Sequence, residues 1–172
     1  MKKIATLVIA TALVAGGAYA ADSELASTST DTIATELTVP MLVKVSMFDS
    51  IDLGTFNYVD NLTGTNDGCV FSNNSGNYTV TMTSSTGAFQ LESVAEVEVP
   101  VAVSWCTSTA GGGTCTALTY NTETSAIAGA NTTDPTCAST ANVSVKVVAA
   151  AADMKVAPAT YSANLLVLIS PN

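Results

Sequence analysis

Residues 33–47 alternate apolar and polar side chains for longer than one strand needs. Ile33, Thr35, Leu37, Val39, Met41, Val43, Val45 and Met47 share one parity, and Pro40 interrupts the run near its middle. Strands in globular proteins usually span about 5–6 residues, so this run holds at least one segment more than a first strand requires. Shorter period-two stretches follow. Segment 50–58 puts Ile51 and Leu53 on one face, and the turn-rich string TGTNDG (63–68) separates it from CVFS (69–72). Tyr78, Val80 and Met82 stay in register across 77–84. AFQLES (88–93) reads as a short strand. Val97, Val99, Val101, Val103 and Trp105 share a face opposite Glu96 and Glu98, and ALTY (117–120) is a hairpin partner for them. Val143, Val145 and Val147 alternate with Ser144 and Lys146, residues 148–157 read as a loop, and 160–170 closes the chain. Seven or eight short strands with Gly/Asn/Ser turns and no helical period predict an all-β, antiparallel sandwich of immunoglobulin type.

The last segment raises a difficulty. Tyr161, Ala163, Leu165, Val167 and Ile169 form one apolar face, yet Leu166 and Leu168 occupy the other. A strand apolar on both faces is expected to be central or covered rather than at a bare edge. The spare segment 33–39 has the alternation needed to lie beside it. Pattern alone leaves two readings open: 33–47 is one long bent strand completing its own sandwich, or 33–39 completes another molecule.

Composition then narrows the setting. Lys2 and Lys3, the apolar run 4–15 and the small-x-small Ala18–Tyr19–Ala20 predict a secretory signal peptide over residues 1–20. The run is shorter than the roughly 20 residues of a membrane span, so no direct membrane insertion is expected. Segment 21–31 is Ser/Thr-rich and reads as an exposed leader. Loss of two lysines takes the formal charge from −9 to −11 and leaves Lys44, Lys146 and Lys155 as the cations, with no Arg. Such a surface repels nucleic acid.

The 4 cysteines of a secreted chain are expected as disulfides, and three pairings are conceivable. Cys106 and Cys115 flank a loop with glycines 111–113 at its tip, which favours a local ring and leaves Cys69 with Cys137. Zinc is disfavoured, because no His is present and the spacings are not those of paired Cys-x-x-Cys knuckles. Without His, the common hydrolase triads lack a base. Glu96 and Glu98 sit on a solvent face, and 60–68 offers oxygen ligands without the spacing of a calcium loop. No catalytic residue, metal or cofactor is expected, and the chain is not read as an enzyme.

Four stretches taken in order, IDLGTF (51–56), CVFSNNSGNYTVTM (69–82), VPVAVSW (99–105) and ATYSANLLVLISP (159–171), resemble the pilin subunits of chaperone–usher pili, nearest to the alternate and archaic classes. The resemblance implies an incomplete immunoglobulin-like sandwich, completed by an N-terminal donor strand from a neighbouring subunit, a mode of β-strand addition. It implies a donor extension at 21–39 and a pilin domain at 40–172. Ile33, Thr35, Leu37 and Val39 stand where donor side chains stand, Pro40 at the break, and Tyr161, Leu165, Val167 and Ile169 along the acceptor groove. The implied partners are identical or related pilins, a periplasmic chaperone and an outer-membrane usher. The implied role is a structural subunit of an extracellular, cell-surface pilus, exported through the periplasm, that supports adhesion or biofilm formation. Two departures bear on subclass: Ala159 stands where the family often has Gly, and the Cys106–Cys115 hairpin is additional to the common two-cysteine pattern. The alternative is a self-contained secreted β-sandwich binding module, lectin-like or an adhesin.

Overall fold

The computed structural model describes residue 28 and residues 33–172; the expected signal peptide (1–20) and nearly all of the expected leader (21–31) lie outside the described residues. The chain divides between Val39 and Pro40, and Pro40–Asn172 forms the sandwich. Among the described residues eight strands follow in order: β1 Val43–Ser46, β2 Leu62–Ser72, β3 Tyr78–Ser84, β4 Gln90–Glu92, β5 Glu98–Cys106, β6 Cys115–Ala117, β7 Val143–Ala149 and β8 Leu165–Pro171. The larger sheet runs β1-β2-β7-β5-β4, with β6 paired to β5, and β3 and β8 form the smaller one. Every strand pair is antiparallel. The fold is an all-β sandwich.

Alternation decides which residues fill it. Val99, Val101, Val103 and Trp105 of β5 are buried, as are Val143, Val145 and Val147 of β7 and Tyr78, Val80 and Met82 of β3. Together they form one core between the sheets. The outer face of the larger sheet carries a second, smaller cluster of Cys69, Phe71 and Cys137. Two disulfides lie on that outer face: Cys69–Cys137 ties the loop before β7 to β2, and Cys106–Cys115 joins β5 to β6. Under the short ring lies Ser144, whose hydroxyl donates to Ser108 C=O (2.6 Å) and accepts from Gly111 N–H (2.9 Å). That cover is why Ser144 is fully buried although the alternation places it on the solvent side.

Three expectations from pattern change. Residues 63–68 are not a turn but the first half of β2, paired with β7 from Leu62↔Ala149 to Gly68↔Val143. Segment 50–58 forms no strand, although Ile51 and Leu53 pack against the core as their shared face suggests. The partner of β5 is Cys115–Ala117 rather than 117–120, because the disulfide sets Cys106 opposite Cys115.

Candidate functional site

The smaller sheet is satisfied on one edge and open on the other. Ser85 N–H donates to Asn164 C=O at 2.9 Å, just beyond the Ser84↔Leu165 pair. In antiparallel ladders hydrogen-bonded and non-hydrogen-bonded pairs alternate, so Thr83–Leu166, Thr81–Leu168 and Thr79–Ser170 are the bonded ones. Tyr78, Val80 and Met82 then point their peptide groups away from β8. Segment 121–127 meets them there: Ile127, Thr124 and Asn121 N–H groups donate to Tyr78, Val80 and Met82 carbonyls at 2.8, 2.9 and 2.9 Å. By the same alternation Leu165, Val167 and Ile169 turn their peptide groups away from β3. No strand among the described residues pairs with that edge.

The side chains of those three residues turn inward. Ile169 is buried and Leu165 and Val167 are half-buried, whereas Leu166 and Leu168 are 69% and 58% exposed on the outer face. The expectation that β8 would be central or covered is therefore not met within the described chain.

Beside the open edge run two adjoining cavities of about 550 and 510 Å³, which share Ile51, Leu53, Leu91 and Ala163. Tyr161 lines the larger and Leu165 the smaller. Val101 and Val147, inward residues of the larger sheet, also line the smaller. The far wall is the segment 48–53, and β2 explains its position. Asn66 accepts Asp49 N–H at Oδ1 (2.8 Å) and donates Nδ2–H to Ser50 C=O (3.3 Å). A Cβ at Gly68 would overlap the Phe48 ring, and one at Gly64 would overlap Ile51 and Leu53. The glycines read as turn formers are instead the space into which this wall packs.

The structure thus brings Tyr161 and Leu165 to the cavities and packs Val167 and Ile169 against the core. Tyr161 is anchored by its hydroxyl, which donates to Ala157 C=O at 2.5 Å. Sequence reasoning missed the wall residue Phe48 and the lining residues Leu91, Val101 and Val147. The available signal was the Gly64/Gly68 spacing on one face of a strand. Ile33 and Leu37 are each 86% exposed, Val39 is exposed too, and residues 33–40 carry no strand. Among the described residues no cluster of His, Cys, Asp or Glu could hold a metal ion, and no helix is long and apolar enough to cross a membrane.

No family model matches the sequence, and no curated protein sequence matches it. The fold is similar to that of a chain in a solved chaperone–tip adhesin complex described as vital for activation of CFA/I fimbriae biogenesis. The identity is 15% and the TM-score 0.51, over 76% of this chain and 42% of that one. The chain therefore spans less than half the length of that neighbour, and the likeness is one of fold.

Proposed function

We propose that the chain is a fimbrial subunit that polymerises by strand donation, residues 33–39 of one copy filling the groove beside β8 of the next. One observation carries this reading: among the described residues no strand pairs with the Leu165–Val167–Ile169 edge, whose Leu165 end borders a part-empty apolar groove, while the opposite edge of the same sheet is capped. A sandwich short of one strand in one place is open to strand addition. The exposed alternating segment offers Ile33, Thr35, Leu37 and Val39 for it. Each large apolar side chain so buried contributes about 1.5–3 kcal/mol, and the paired peptide groups fix the register.

On this reading residues 21–39 are the donor extension and 40–172 the acceptor domain. A periplasmic chaperone covers the groove before assembly, an outer-membrane usher directs export, and the product is an extracellular fimbria with a structural rather than enzymatic role. The fimbrial fold neighbour and the two disulfides support it.

The test compares full chains. Wild type should form an SDS-resistant ladder, and Leu37→Asp should remain monomeric. A peptide copying 31–39 should raise the melting temperature of that monomer, and the same peptide with Asp at position 37 should not. A ladder from Leu37→Asp, or a melting temperature indifferent to the native peptide, would overturn the reading.

A further inference from the structure

Residues 40–42 are fixed at one pole of the sandwich. Asn73, in the β2–β3 turn, donates Nδ2–H to Pro40 C=O (2.9 Å) and accepts Leu42 N–H at Oδ1 (2.7 Å). Its own N–H donates to Leu42 C=O at 3.2 Å. Asn74 Nδ2 donates to Asn172 C=O, so β8 ends at this same pole. At the opposite pole β2 and β8 begin, and Tyr58, Leu62 and Tyr161 line the larger cavity together. Met41 and Leu42 at the first pole, and Tyr58 and Val59 at the second, are each more than half exposed.

Chain geometry connects these two apolar patches once strand donation, on which this inference rests, is granted. Met41 lies two residues past Val39, so a donor seated in a neighbour's groove holds it within about 7 Å of the groove's end. If the donor root sits at the neighbour's Asn172 end, like poles face each other and the pair closes on itself. If it sits at the Tyr161 end, unlike poles meet and the contact repeats head to tail without closing. The cavities lie at the Tyr161–Leu165 end, where the second arrangement would seat the donor root. Residue 39 then lies near Tyr161 and residue 33 near Ile169, giving an antiparallel pair with β8, the slightly more stable kind. Met41, Leu42, Asn73, Asn74 and Ser75 at the root pole are all uncharged, so their approach to another copy of a strongly acidic chain meets little repulsion.

We infer that Met41 and Leu42 of one copy dock on Tyr58 and Val59 of the next, a second contact between copies outside the groove.

Cross-linking of the full chain tests it. All four native cysteines are paired, so new thiols report on the contact alone. Chains carrying Met41→Cys with Val59→Cys, or Leu42→Cys with Tyr58→Cys, should give a reducible covalent ladder on mild oxidation of the polymer. A disulfide requires Cα atoms within about 7 Å. Adding Leu37→Asp should abolish that ladder. Polymer that forms normally but yields no ladder from either pair overturns the pole contact and leaves strand donation standing. Covalent dimers from Met41→Cys alone overturn it too, since like poles would then meet. Failure of the wild-type chain to polymerise overturns both readings together.

Discussion

Trp105 donates its indole N–H to the Tyr78 hydroxyl at 3.0 Å, and neither side chain is exposed. Trp105 belongs to the larger sheet and Tyr78 to the smaller, with ring planes at 69° and centroids 6.3 Å apart. One buried polar pair therefore joins the two layers on the inside of the sandwich.

This pair yields the first prediction. Tyr78→Phe leaves the indole N–H buried without an acceptor, which costs about 1–3 kcal/mol and should lower the melting temperature measurably. Burial raises the Tyr78 pKa, offset in part by the Trp105 hydrogen bond. An unfolded tyrosine loses its proton near pH 10 and the folded one above that. The contribution to stability is thus complete below about pH 10 and is lost as pH rises through the folded value. Denaturant melts at alkaline pH should show wild type losing stability faster than Tyr78→Phe.

A second prediction concerns the groove wall. Gly68→Val should force the Phe48 ring from its seat, at an overpacking cost of about 1–3 kcal/mol. Adding Phe48→Ala should recover part of that loss, so a double-mutant cycle should show coupling above about 0.5 kcal/mol. Independent, additive effects would mean that the glycine does not make room for the ring.

That glycine also marks the limit of what the sequence disclosed. The strands whose alternation runs unbroken, at Tyr78–Val80–Met82, Val99 to Trp105 and Val143 to Val147, were legible because burial selects one parity. Residues 63–68 were not, because Asn, Asp and two glycines carry turn chemistry when read locally. In the fold Asn66 binds segment 48–53 through two hydrogen bonds, and the glycines accept its apolar side chains. Those are tertiary uses that no local window exposes. Likewise the β8 side of the groove was legible from the apolar face of 161–169. The opposite wall was not, since Phe48 and Ile51 reach it without forming a strand.

The disulfides should differ in their effects. The longer ring, with a separation of 68 residues, should contribute about 4 kcal/mol and the shorter, with 9, about 3. Cys106→Ser/Cys115→Ser should release loop 107–114 from Ser144 and speed amide exchange there, while residues 48–53 keep their protection. Cys69→Ser/Cys137→Ser should shift the global melt further. Non-reducing peptide mapping checks the pairing itself, and a Cys69 peptide joined to Cys106 or Cys115 would refute it.

The parity of β8 gives the sharpest local test of the groove. Val167 and Leu168 are neighbours of similar character on one strand, so propensity and hydropathy hardly separate them. The ladder does: Val167 is half-buried with its peptide groups toward the open edge, and Leu168 is exposed with its peptide groups bonded to Thr81. A charge at Val167 would lie inside the groove, where an unpaired carboxylate is poorly solvated. A charge at Leu168 would stand in water. Val167→Asp should lower the melting temperature and abolish stabilisation by the 31–39 peptide. Leu168→Asp should change stability by no more than about 0.5 kcal/mol and leave the peptide effect intact. Val167→Thr, which keeps the shape and adds one hydroxyl, should weaken the peptide effect without removing it. Peptide-dependent thermal melts of the three variants in the Leu37→Asp monomer decide the matter. Equal sensitivity at positions 167 and 168 would show that the donor does not enter beside the inward face.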